Sequence, residues 1–220
     1  MSDNLRQYRA IRDALTQWSP RQPTGIVARH VTTLAALISG IVASKSTQLP
    51  KIAAKVPESA KPESRVKRFT RWVDNERILE EVYLLPYASI LLTQLALETL
   101  VLVMEGSVVG RGCTALMIHV IYKGRALPLA WRVRQGPKGH FPEALHIAVV
   151  ELISTVIPER AKVVFLGDGE FDGTVLQATL NQAGWSYVCR TALSTTATWE
   201  GTTFRLDTLG ACSKPGTLIA

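Results

Sequence analysis

The spacing of apolar residues changes once along this chain, near residue 100, and that change limits what it can fold into. Before it, apolar side chains recur every three or four positions. Val27, Val31, Leu34, Leu37, Ile38 and Ile41 gather on one face of a helix predicted over 26–43. After it come short runs rich in β-branched and aromatic residues. Leu100–Glu105, Thr114–Tyr122 and Ala126–Arg134 read as strands, with Lys123-Gly124-Arg125 as a tight turn. A helix is predicted over 142–156, a strand over 162–167, a helix over 173–183 and a strand over 186–190. The order β-β-β-α-β-α-β builds an α/β fold with a mixed sheet and flanking helices. Right-handed crossover then puts the fourth strand parallel beside the first.

The helical part continues with a short helix over 49–56, stopped by Pro57, and a third over 62–73. In the third, Val66, Phe69, Trp72 and Val73 are expected to face a core, leaving Arg65, Lys67, Arg68 and Arg71 on the surface, with Lys61 just ahead. Charge follows the same division. Residues 1–82 carry 14 Lys+Arg against 8 Asp+Glu, whereas residues 83–220 carry 11 against 10. A basic helical region of 1–82 joined to a near-neutral region of 83–220 suits a DNA-binding module beside a second domain, since Lys and Arg supply most sequence-independent affinity for phosphates.

Composition removes several classes. At 47% hydrophobic and 20% charged, the chain can bury a core and is not disordered as a whole. Cys113, Cys189 and Cys212 form no CxxC pair, which argues against a disulfide framework or a structural zinc site and for a reducing, cytoplasmic setting. Met1–Gln7 is too polar to open a signal peptide. Val82–Met104 is the one membrane-like stretch recognised in the sequence. Pro86, Gln94 and Glu98 interrupt it, so it reads as an amphipathic helix followed by a strand.

Two carboxylates stand out against this framework. Glu105 follows Leu100–Met104, and Asp168 follows Val163–Gly167. If those strands are parallel neighbours, both acids emerge at one sheet edge and can share Mg2+ or Mn2+. Asp168-Gly-Glu-Phe-Asp172 adds two further acids, of which Asp172 also suits a helix N-cap. His119, on an apolar strand, reads as a satisfied core histidine. His140 and His146 are six residues apart, not the spacing of a helical metal pair, and Cys189 lacks a partner for thiol chemistry.

Glu105-Gly-Ser107, Arg125–Val133, Val164–Asp172 and Gly184–Arg190 resemble the successive blocks of a bacterial DDE transposase of the insertion-sequence-four type, over roughly residues 26–210. The resemblance implies an RNase H-like catalytic domain that uses Mg2+ or Mn2+ to nick transposon ends and join the freed 3′ hydroxyl to target DNA. It implies double-stranded DNA as partner, a homodimer in the DNA complex and a nucleoid-associated location. It makes Glu105 and Asp168 the catalytic, metal-binding acids and Arg190 a DNA contact. Glu105 stands where the family has aspartate, and its extra methylene predicts weakened catalysis, since misplacement by about an ångström can cost about a hundredfold.

The family's third acid, on a late helix, has no counterpart before Ala220. Trp199–Leu206 looks like the start of the β insertion, at about 195–220, that precedes that helix. The expectation is therefore a truncated, impaired transposase whose sheet lacks a covering helix and exposes apolar surface. The alternative is a DNA-binding remnant that competes for element ends without catalysis.

Overall fold

The computed structural model describes residues 3–137, 139 and 141–208; His140, Cys212 and the rest of 209–220 lie outside the described residues. Two compact units divide between Gln94 and Leu95. This is later than the boundary expected after residue 82, because the segment after 82 bonds back to the helices: Tyr83 Oη lies 2.6 Å from His30 Nδ1, and the Tyr87 hydroxyl donates to the Leu15 carbonyl.

The first unit is helical. It holds α1 (Asp3–Gln17), α2 (Gly25–Ser44), α3 (Leu49–Lys55), α4 (Pro62–Val73), the single turn α5 (Glu80–Tyr83) and most of α6 (Leu85–Leu95). α1 was not foreseen; its few apolar residues, Leu5, Tyr8, Ile11 and Leu15, fall at three- and four-residue steps within a polar segment. They pack against a core of Ala35, Ala36, Leu37, Ile52, Ala53, Val56 and Phe69. In α4, Val66 and Trp72 join that core as expected, but Val73 is 60% exposed at the helix end.

Among the described residues, α2 is the helix long and apolar enough to cross a membrane, not Val82–Met104, which is broken into α5, α6 and a strand. The apolarity of α2 has a local cause. Its middle packs against α3 so closely that a Cβ at Gly40 would stand 2.5 Å from Ile52 Cγ2 and 2.8 Å from the Ile52 carbonyl oxygen. Gly40 stands where that approach leaves no room for a side chain.

The second unit carries β1 (Leu100–Gly110), β2 (Cys113–Tyr122), β3 (Arg125–Gln135), α7 (Glu143–Ser154), β4 (Val163–Gly167), α8 (Thr174–Gln182) and β5 (Ser186–Cys189). Its sheet runs β3-β2-β1-β4-β5, with β1–β2 and β2–β3 antiparallel and β1–β4 and β4–β5 parallel. This is the mixed sheet the element order requires. β1 is five residues longer than expected: the chain stays paired to β2 until Arg111 and Gly112, both at positive φ, reverse it, as Lys123 and Gly124 do between β2 and β3. Two consecutive positive φ values match the twist of a two-residue hairpin. A second hairpin, β6 (Thr196–Trp199) and β7 (Thr202–Arg205), turns at Glu200-Gly201 and gives the expected β segment its described part.

One face of the sheet is well covered. Leu100, Leu102, Met104, Ile118, Val120 and Phe165 are buried on it, and Phe141 sits so close to Gly106 that a Cβ there would lie 2.7 Å from the ring. The other face carries Val101, Val103, Val164 and Leu166, half-buried, with Trp131, Val133 and Val188 exposed at 40%, 55% and 64%.

Gly40→Ala is a sharp test of the α2–α3 approach. Helix propensity alone favours alanine by about 1 kcal/mol. The contact with the Ile52 backbone reverses the sign, so the melting temperature should fall. A rise would show that the two helices are not packed this tightly.

Candidate active site and nucleic-acid interface

The geometry of the two acids follows from the parallel pair. Leu100, Val101, Leu102 and Val103 lie opposite Val163, Val164, Phe165 and Leu166. Extended two residues past its last pair, Val103–Leu166, that register runs to Glu105 and Asp168 on the face of Val101, Val103, Val164 and Leu166, but the strand pairing itself stops before them. The parallel adjacency is as expected; the position of Glu105 at a strand end is not. Glu105 lies within β1, at the point where β4 stops and only β2 remains paired to it.

The loop after β4 is built to present Asp168. Its Oδ1 accepts the Glu170 N–H at 2.9 Å, and its carbonyl accepts the Phe171 N–H at 3.0 Å. Phe171 is fully buried and crowds Gly167, where a Cβ would come within 2.7 Å of the Phe171 Cβ. The other acids of the segment have structural partners. Glu170 accepts the Phe141 N–H at 2.7 Å, and Asp172 accepts the Thr191 hydroxyl at 2.5 Å. Asp172 does not cap α8. The N-cap is Gly173, and Glu143 of α7 accepts the Leu176 N–H at 2.9 Å, in the space that a side chain at 173 would fill.

Asp168 and Arg190 share an open groove of about 980 Å3, with Phe141, Gly169, Glu170 and Thr191 among its walls. Arg190 follows β5, held by its N–H to the Gly167 carbonyl at 2.9 Å. Glu105 is not part of that groove's lining. Its carboxylate, 54% exposed, lies 3.9 Å from Nε2 of His119 on β2. Two carboxylates side by side suit Mg2+ or Mn2+, which commonly take one or two carboxylates and complete their shell with water and substrate phosphate. Among the described residues, no three His, Cys, Asp or Glu side chains form a metal-binding group.

Burial sets the character of two nearby side chains. The Cys189 thiol is pushed up by burial and by Asp172, which keeps it protonated and unsuited to thiolate attack. His146, buried edge-to-face against Phe171 with its Nε2 unpartnered, is held below its ordinary value by burial, against the opposing pull of Glu170, Glu143 and Asp168.

The basic helix is less uniform than its sequence suggests. Lys61, Lys67 and Arg71 are exposed. Arg65 is not a surface residue: it is 9% exposed, and its Nη1 donates to the Ala53 and Val56 carbonyls at 2.5 and 2.6 Å. These are carbonyls at the C-terminal end of α3, where a cation is favoured by the helix dipole. The expectation that Arg65 contacts DNA is therefore corrected. Arg68 is half-buried and paired with Glu58 at 2.9 Å, with its Nε buried and without a hydrogen-bond partner.

Arg68 also lines a cavity of about 370 Å3 with Ala28, Arg29, Thr32 and Thr33 of α2. Arg29 was not singled out from sequence. Its signal was present: Arg29, Thr32 and Thr33 form a polar patch at helical spacing in an otherwise apolar helix.

No protein-family model matches the chain, and no curated protein matches it.

Two measurements separate structural from surface roles. Arg65→Met should cost about 1–3 kcal/mol in urea unfolding, because it leaves two buried carbonyls without a donor. Lys67→Ala and Arg71→Ala should each stay within about 0.5 kcal/mol. For His146, the unfolded chain takes up a proton at higher pH than the folded one. Stability should be fully present above about pH 6.5 and decline as pH falls below it, and His146→Leu should flatten that decline in thermal melts.

Proposed function

We propose that this chain is a DNA-binding protein of the transposase type, with a metal-dependent site for phosphodiester cleavage and strand transfer whose catalysis is weakened by the glutamate at position 105. The observation that supports the reading is the parallel β1–β4 pairing in a sheet of order β3-β2-β1-β4-β5, which in this reading brings Glu105 and Asp168 towards one edge. That order is the one an RNase H-like domain requires. The resemblance of the four sequence blocks around Glu105, Arg125, Asp168 and Arg190 supports the same assignment.

In this reading the basic face of the helical unit, with Lys61, Lys67, Arg68, Arg71 and Arg29, engages the backbone of duplex DNA. Arg190 orients the scissile phosphate in the groove beside Asp168. Glu105 and Asp168 are the residues that would hold Mg2+ or Mn2+, and the ion, when bound, would supply Lewis acidity to the phosphoryl group. The exposed apolar sheet face around Trp131, Val133 and Val188 is compatible with a homodimer on DNA. A second reading, DNA binding without cleavage, is favoured because, among the described residues, no three His, Cys, Asp or Glu side chains form a metal-binding group.

The test is an electrophoretic shift on duplex DNA alongside plasmid nicking in Mg2+ or Mn2+. Duplex binding should lose affinity steeply with salt. The double variant Lys67→Ala, Arg71→Ala should lower the slope of log K against log salt by about 1.8 if both contact phosphates. Asp168→Asn should abolish nicking and leave binding intact. Binding by the parent chain without nicking selects the second reading; neither activity removes both.

A further inference from the structure

α2 is apolar through most of its length, yet one part of its surface is polar. Arg29 stands three and four residues before Thr32 and Thr33 and so shares a face with them. α4 packs beside α2, and its Arg68 joins these side chains and Ala28 around the cavity of about 370 Å3. Among the described residues, its walls hold two guanidinium groups and no carboxylate. The threonines shape the space without supplying charge, since their hydroxyls donate to helix carbonyls, Thr32 to Ala28 at 2.8 Å and Thr33 to Arg29 at 3.0 Å. Arg68 is held in place by its own neighbours. Its Nη2 lies 2.9 Å from Glu58, and its Cζ lies 5.1 Å from the centre of the buried Phe69 ring. Glu58 thus engages one of the three guanidinium nitrogens, while Nε is buried without a hydrogen-bond partner. Arg29 is exposed.

The geometry points to this cavity as the seat of a single phosphate group from the backbone of duplex DNA, with Arg68 as its fixed cation and Arg29 as its exposed one. This rests on the reading of the helical unit as a DNA-binding module and adds to it where one phosphate is held, between α2 and α4 rather than on the α4 surface alone. Two cations lining one cavity repel each other, and an oxyanion between them offsets that repulsion and accepts hydrogen bonds from both. A buried N–H without an acceptor, such as Arg68 Nε, marks a group whose partner is missing. Because Glu58 and Phe69 already fix Arg68, little side-chain freedom is lost when it binds. Arginine at both positions matters as well. A guanidinium offers a planar fork of paired donors that matches phosphate oxygens, which an ammonium does not, so affinity depends on shape in addition to charge. Lys61, Lys67 and Arg71, all exposed, act instead as charges on an open surface.

The experiment uses the full chain, with folding checked by circular dichroism, in electrophoretic shifts on duplex DNA and in a titration with inorganic phosphate followed by NMR of the arginine Nε–H signals. Arg29→Ala should weaken duplex binding about tenfold and lower the slope of log K against log salt by about 0.9. Arg29→Lys keeps the charge and loses the fork. It should still weaken binding about threefold, whereas Arg71→Lys should bind like the parent chain. Parent-like binding by Arg29→Ala or by Arg29→Lys overturns the inference, because position 29 then contributes nothing or charge alone. If the parent chain does not bind duplex DNA, the DNA-binding reading fails by itself and the titration decides the cavity. A saturable shift of the Arg68 signal that Arg29→Ala loses assigns the cavity to free phosphate, and no such shift overturns the phosphate site.

Discussion

The pairing of β1 with β4 is the constraint on which the second unit depends. It is the one contact that joins the antiparallel β1–β2–β3 meander to the parallel β4–β5 half of the sheet, and it places the centre of the sheet at Leu102 and Phe165, both fully buried. Because β4 ends at Gly167 while β1 continues to Gly110, the sheet changes width beside Glu105. A backbone edge opens there, and the loop carrying Asp168 fills it. The groove beside Asp168 lies beyond the carboxyl end of β4, the end of parallel strands at which ligand sites commonly form.

Around that opening, most polar side chains are committed to holding the loops. Glu143 receives the N-terminus of α8, Glu170 ties the segment before α7, and Asp172 receives Thr191 after β5. Asp168 and Glu170 both line the groove with Arg190, and Asp168 accepts the Glu170 N–H. A run of acids that reads as several interchangeable ligands is thus a set of separate structural tasks. The same economy shapes the helical unit, where Arg65 completes the end of α3 and leaves Lys61, Lys67 and Arg71 to set its surface charge.

Much of the architecture was legible in the chain. Apolar spacing located α2, α3, α4, α7, α8 and all five sheet strands within a few residues, because each buries one face and so repeats its apolar residues at its own period. α1 was missed because most of its positions are polar. The end of β1 was missed because Gly106 and the exposed Val108, Val109 and Gly110 carry no alternation. Both candidate acids were read as strand-terminal residues, which holds for Asp168 after β4 but not for Glu105 within β1, and the right-handed crossover gave the adjacency of β1 and β4. His119 was legible as a core residue, but its Nδ1 is buried with no hydrogen-bond partner, not satisfied as expected.

What the sequence by itself determined is the kind and order of elements, the concentration of positive charge in the helical part, and the placing of Glu105 and Asp168 on strands that must lie side by side. These are local or topological consequences of periodicity, charge and chain handedness. Only the tertiary structure decided which of several identical-looking side chains are used for what. Arg65 and Lys67 are two residues apart on one helix, yet one is buried on the α3 carbonyls and the other faces solvent, because α3 packs on one side of α4 alone. Burial and partnership are properties of what comes to lie opposite a residue, and no local pattern encodes them.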